Sequence, residues 1–317
     1  METPEGNINI WQKVEKTDAD KVFSAKLMLF GEYTVICGSM ALMTPLRRFS
    51  AHWDWQPPDS GHPSVPYLND YFSYLNGNTQ LQGVLDLKQM KSDLHNGLVF
   101  ASDIPVGYGA GSSGALVSAV YQRYAFSVSN DTHALKHILA VMESYFHGQS
   151  SGLDPLCINL DRPLLLRSDG TIDADIHLPD TVFSDAGIFL VDTGDTGMTA
   201  PLVGFFRDQL KNLSFFRKLA NVLIPATNNA IRSFIDTDTK GMFENLSVIS
   251  SFQLTEMQPM IPEDFRDFWK SGMEQDLYVT KLCGSGGGGF MLGFTQNTTA
   301  LDQWIKSNYP DINYFYL

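Results

Sequence analysis

Residues 98–125 read LVFASDIPVGYGAGSSGALVSAVYQRYA. Leu98 to Ile104 is β-prone, and from Ser113 to Ala125 the residues are apolar or small on nearly every side, the pattern of a helix buried all round. Between them, Pro105-Val-Gly-Tyr-Gly-Ala-Gly-Ser-Ser-Gly114 makes a glycine-rich turn from strand to helix. Such a turn directs consecutive backbone N–H groups and the positive end of a helix at one point, where a phosphate can sit. It is not a P-loop, since no Gly-Lys-Ser/Thr follows, although Gly109 to Gly114 fits the dinucleotide pattern G-x-G-x-x-G. A tight turn packing a helix on a sheet would account for the glycines alone. Ser112 and Ser113 add hydroxyls that can ligate a metal carried by phosphates.

Other stretches add chemistry. Leu135, Ile138, Leu139, Met142, Tyr145 and Phe146 recur at helical spacing up to Gly148, with Glu143 at the edge of the apolar stripe. Eleven residues after Glu143 comes Asp154, in Ser150-Ser-Gly-Leu-Asp-Pro155. Singly, Glu143 reads as a surface charge and Asp154 as a turn or cap residue. As a pair they supply the two carboxylates that phosphoryl transfer to an alcohol needs, one for a metal and one for the hydroxyl proton. Lys26 lies inside the β-prone segment Val22 to Phe30, where a Lys either snorkels to the surface or serves a site. Lys281-Leu-Cys-Gly-Ser-Gly-Gly-Gly-Gly-Phe290 sets five glycines between two strands, more than a hairpin requires, which predicts close approach to a ligand.

Further strands are predicted at Val35 to Cys37, Ala51 to Trp55, Ile188 to Asp192, Tyr278 to Leu282 and Phe290 to Phe294. Further helices are predicted at Leu202 to Leu210, Phe215 to Ile235 and Phe243 to Met257. Pro57, Pro58, Pro63 and Pro66 predict an exposed loop between Trp55 and Asp70. The length, 317 residues, suits two joined domains, 1–185 and a more helical 186–317, with a boundary near Phe183 to Gly187.

With 35 acidic and 22 basic residues the net charge is −13, and no run of Lys or Arg could track a nucleic acid. Any phosphate site must therefore rely on local amides, a local Lys and a divalent metal. Cys37, Cys157 and Cys283 are few and scattered, which suits a reducing compartment, and cytosol is the expectation. No apolar leader opens the chain and no run reaches the roughly 18 residues of a membrane helix.

Together these stretches resemble the three motifs of the GHMP kinases, from Lys26 to Phe290. Lys26-Leu-Met-Leu-Phe-Gly-Glu-Tyr33 is similar to the first, Pro105 to Gly114 to the second and Lys281 to Gly289 to the third. His147-Gly-Gln-Ser-Ser-Gly-Leu-Asp154 resembles the segment carrying the catalytic Asp in the mevalonate-phosphorylating branch. The resemblance implies an α+β fold of two α/β domains, the C-terminal one ferredoxin-like, with the active site in the cleft between them. It implies ATP and Mg2+ as cofactors and a small-molecule alcohol as substrate. It implies Asp154 as catalytic base with Lys26 as its cationic partner, and Ser113 and Glu143 as magnesium ligands. Pro105, Gly107, Gly109, Ala110, Gly111, Ser112, Ser113 and Gly114 would bind the nucleotide, the N-terminal domain holding ATP and metal. Glu32, Tyr33, Gly284, Ser285, Gly286 and Gly287 would line the substrate side, with Gly284 to Gly288 contacting phosphate or substrate and supporting the second motif. A homodimer is compatible with this reading; nucleic acid and membrane have no part in it.

Some positions depart from the family pattern. Tyr33 stands where His is usual, Cys283 where Thr is, and Ser24-Ala25 where Pro-Gly is. An Arg common in the mevalonate branch is absent, with Met198 near its place, so a substrate carboxylate would need another cation, such as Lys21, Arg47 or Arg48. Two other readings compete. A dinucleotide-dependent oxidoreductase built on Gly109 to Gly114 gives the second glycine run no role. A catalytically silent relative should have lost the base or a metal ligand, yet Lys26, Ser113, Glu143 and Asp154 are all present. Within the family, phosphomevalonate, a sugar or an amino alcohol are the other substrates.

Overall fold

The computed structural model describes residues 11–13, 21–58, 60–179, 187–197 and 199–317. Helices and strands are mixed along the chain, which forms two compact units, each assembled from separated segments. The first takes residues 1–25, 47–104 and 111–161, and the second 26–46, 105–110 and 162–317. The boundary expected near residues 183–187 falls largely on positions 180–186, outside the described residues.

Through the first unit run β1 (Trp11–Lys13), the start of β2 (Val22–Phe30), the end of β3 (Ala41–Trp55), α1 (Ser64–Gly77), α2 (Leu87–His95), β4 (Leu98–Ser102), α3 (Ser112–Tyr124), β5 (Ser127–Ser129), α4 (Thr132–His147) and α5 (Leu153–Leu160). Ala51–Trp55 of β3 pairs antiparallel with β4, and β1 pairs with β5. Small residues let α3 bury every position from Gly114 to Tyr121. Trp53 of β3 reaches it, donating from Nε1 to the Ala119 carbonyl at 3.3 Å and meeting Phe100 of β4 edge-on at 5.2 Å. The Asp131 side chain caps α4 by accepting from the His133 N–H, and Gly148 ends it.

Two local expectations give way, one in each unit. Val35–Cys37 is not a strand but part of a 3-10 turn, Thr34–Cys37, closed by Gly38 at φ 85°; three β-prone residues between two glycines are too short a run to outweigh the turn. The proline-rich stretch is not all loop, because α1 begins at Ser64. Pro66 falls in its first turn, where a backbone N–H has no intrahelical acceptor to lose.

The second unit continues with β6 (Leu164–Leu166), β7 (Ile172–Asp173), β8 (Gly187–Asp192), α6 (Thr199–Gln209), α7 (Leu213–Lys218), α8 (Ile224–Ile235), α9 (Thr239–Glu256), α10 (Arg266–Glu274), β9 (Tyr278–Leu282), β10 (Phe290–Thr295), α11 (Thr298–Asn308) and β11 (Asn313–Tyr316). Its four-stranded sheet has the order β11-β8-β10-β9 with every neighbour antiparallel, the arrangement of a ferredoxin-like β-α-β-β-α-β unit. Ala41–Met43 of β3 pairs antiparallel with β6. The single helix expected over 215–235 is interrupted by a π-helical turn at Leu219–Leu223, because Pro225 has no N–H to donate back into the helix. Among the described residues no helix is long and apolar enough to cross a membrane.

Candidate active site

In the first unit, the predicted chemistry gathers where α3, α4 and α5 meet. Gly111, left-handed at φ 82°, turns the chain into α3, whose first N–H groups have no partner within the helix. Ser113 in that first turn donates from Oγ to Glu143 Oε1 at 3.2 Å. Ser150 donates to the other carboxylate oxygen, Glu143 Oε2, from the loop after α4. Glu143 is therefore no surface charge: it is 3% exposed and held by two hydroxyls.

Two glycines bring Asp154 to this point. Gly152, at φ 73°, opens α5 against α4, where a Cβ would lie 2.3 Å from the Lys136 carbonyl. Gly114 lets α3 touch α5, its notional Cβ 3.1 Å from Pro155 N and 3.2 Å from the Asp154 carbonyl carbon. Ser118 of α3 seals the contact, donating to the Pro155 carbonyl at 2.8 Å. Asp154 thus sits in the first turn of α5, where the helix dipole favours a negative charge.

The oxygens of Ser113 and Glu143 are donors of the type a hard divalent cation takes. Among the described residues no group of three or more His, Cys, Asp or Glu could hold a metal. A cation on this pair would need further oxygens, which nucleotide phosphates carry.

In the second unit, three loops interlock through their backbones. Gly289 N–H donates to Asp195 O at 2.6 Å, Thr193 N–H to Gly289 O at 3.0 Å and Gly197 N–H to Gly107 O at 3.1 Å. The glycines of 284–289 permit this weave. A Cβ on Gly284 would lie 2.8 Å from Gly109 Cα, and one on Gly289 2.4 Å from Tyr108 Cα. The close approach that the sequence assigns to a ligand is, at these two positions, an approach to the chain's own second motif. Met198 lies outside the described residues.

The first motif joins the same unit. Lys26 N–H donates to Ala110 O at 2.9 Å, and its side chain is 2% exposed, so it does not snorkel to the surface. Tyr33, with φ 65°, donates its hydroxyl to Ser285 O at 2.7 Å and packs its ring on Phe206. Burial, with the Glu32 charge beside it, pushes the Tyr33 phenol well above its ordinary pKa. Glu32 accepts from Lys281 Nζ at 2.6 Å, both side chains 2% exposed. Burial pushes the Glu32 carboxyl up, and the ammonium groups of Lys281 and, less strongly, Lys26 oppose it.

Sequence reading missed the Lys281–Glu32 pair and the Ser150–Glu143 bond. The pair does leave a trace, since Lys281, like Lys26, is the one charge in an otherwise uncharged strand. Of the cations considered for a substrate carboxylate, Arg47 pairs with Asp161 at the surface and Lys21 donates to Gln122. A cleft of about 480 Å³ in the second unit includes Arg167, Asp173, Arg232 and Asp236 in its lining, and none of the motif loops contributes to it.

Residues 80–159 match the family described as GHMP kinases N terminal domain. No curated protein sequence matches the chain. Among solved structures, L. major mevalonate kinase in complex with R-mevalonate is 17% identical, with TM-score 0.66 over 96% of this chain and 97% of that one. Streptococcus pneumoniae phosphomevalonate kinase is 16% identical, with TM-score 0.62 over 94% and 98% of the two chains. Lactococcus lactis galactokinase complexed with galactose is 12% identical, with TM-score 0.62 over 94% of each. At these identities the likeness is one of fold, shared by kinases named for three different substrates.

Proposed function

We propose that the chain is an ATP-dependent kinase of the GHMP type that phosphorylates mevalonate to 5-phosphomevalonate, a cytosolic step of isoprenoid biosynthesis; the family match over residues 80–159 and the likeness of fold support this reading. The observation that carries the kinase reading is the Ser113–Glu143 hydrogen bond at the start of α3, with the Asp154 backbone packed on the adjacent Gly114. The first N–H groups of that helix, with the glycine turn before them, bind the nucleotide phosphates. Ser113 and Glu143 hold magnesium, which when bound neutralises charge on those phosphates. Asp154 orients the substrate hydroxyl and takes its proton as the oxygen attacks the terminal phosphorus, and ADP leaves with the electrons of the broken P–O bond. Lys26 supplies positive charge for the phosphoryl group in transfer.

Mevalonate is favoured over a sugar by the His147–Asp154 segment, and because the Thr-Asp-Tyr that follows Gly-Glu-His in sugar kinases is absent after Glu32. ADP release coupled to a spectrophotometric readout, with mevalonate, phosphomevalonate, galactose and homoserine offered separately at millimolar concentration, tests both levels. Turnover with mevalonate alone is expected. Turnover with a different alcohol retains the kinase and removes this substrate, and none with any alcohol leaves only nucleotide binding.

A further inference from the structure

Lys281 and Glu32 form an ion pair inside the second unit, 249 residues apart in sequence, and nothing in the proposed chemistry uses it. A buried ion pair is a poor source of stability, because desolvating two charges costs about as much as their attraction returns. This pair is not even fully satisfied: among the described residues Glu32 Oε2 has no hydrogen-bond partner, and Glu32 lines a void of about 10 Å³ with Thr34, Thr227 and Gln253. Its location suggests another use. Glu32 directly precedes Tyr33, whose hydroxyl holds the Ser285 carbonyl. Lys281 also donates from Nζ to the Leu282 carbonyl at 2.7 Å, two residues before the glycine run begins, and Leu282 N–H is held by buried Gln253 at 2.9 Å. Glycines gain no packing of their own and lose most entropy when ordered, so a five-glycine run needs external ties to hold one conformation.

We propose that Lys281 and Glu32 are positioning residues: together with the Tyr33–Ser285 bond, their ion pair fixes the 283–289 segment in the conformation needed for turnover. The catalytic half of this inference rests on the kinase reading, whereas the ordering half does not.

Hydrogen exchange of the 283–289 amides, read by mass spectrometry on the whole chain, measures the ordering directly. Replacing the pair by apolar residues of similar size, Glu32→Leu with Lys281→Met, should leave the thermal midpoint close to that of the parent. In that variant exchange across 283–289 should accelerate about tenfold or more and kcat should fall by a similar factor. Parental exchange in the folded double variant overturns the inference, and so does faster exchange with unchanged kcat, since the pair would then be merely structural. If the double variant does not fold, Glu32→Gln, which removes the charge that pairs with Lys281, is expected to speed exchange across 283–289 several-fold, as Tyr33→Phe should over 284–286. Parental exchange in Glu32→Gln overturns the inference. Faster exchange in the double variant, from a parent that turns over no alcohol, upholds the ordering and removes the kinase reading instead.

Discussion

The first unit places its candidate residues by packing helices, whereas the second places its own by weaving loops. Ser113, Glu143 and Asp154 ride on three helices whose contacts are fixed by Gly114 and Gly152, so the reactive groups are side chains and the glycines are spacers. In the second unit the glycines are themselves the contact surface, with Gly284 on Gly109 and Gly289 on Tyr108, and side chains such as Tyr33 and Lys281 act as ties. Substitutions should therefore separate the two. Conservative changes in the first unit should alter chemistry with the fold intact, and small additions in the second should disturb the fold first.

The largest effect is expected at Asp154. Asp154→Asn keeps size and shape and should lower kcat by roughly 10² to 10⁴ while the thermal midpoint holds, as measured by turnover and calorimetry side by side. Near-parental turnover would remove Asp154 as the base. Gly289→Val should show the opposite profile. Its Cβ would meet Tyr108 Cα at 2.4 Å on a backbone at φ 69°, and a loss of roughly 3 kcal/mol in a urea titration is expected. An unchanged urea midpoint would mean that the loops do not constrain one another. Glu143→Gln should fold normally and raise the magnesium concentration for half-maximal activity about tenfold, because an amide is a poorer ligand for a hard cation; an unshifted titration would count against that role.

The smallest effect concerns pH. The Glu32 carboxyl holds its proton more tightly in the folded chain than in the unfolded one, burial outweighing Lys281. The folded state then carries more protons than the unfolded state between the ordinary carboxylate range and the raised value, so stability contributed here falls as pH rises through that window. Glu32→Gln should flatten this fall in urea midpoints measured from acid to neutral pH, and an identical slope would show that the carboxyl is not shifted.

Much of this was legible in the sequence because it is local. Val22–Phe30 and Tyr278–Leu282 are strands between the very residues expected, and the helices around Ser113 and Glu143 follow from small-residue and 3.6-residue patterns. Glycine content shows that a backbone comes close but not which backbone, so the support that Gly284 gives the second motif was legible only through the family resemblance. The Lys281–Glu32 pair joins distant segments, and a lone charge in a buried strand announces a partner without identifying it. The missed turn at Thr34–Cys37 follows from a β-prone run too short to outweigh Gly38, and that at Leu219–Leu223 from Pro225 acting within a longer apolar pattern.

The interleaving of segments between the two units bears on how the chain is made. Phe30 packs on Phe234 and Phe294, so the strand carrying it leaves the ribosome more than 200 residues before either ring exists. At about 5–20 residues per second its apolar face waits some ten seconds or longer for those partners. Meanwhile residues 47–104 and 111–161 of the first unit are already emerging. A nascent chain of this order should recruit a holding chaperone through β2, and slower translation should lengthen that engagement rather than relieve it.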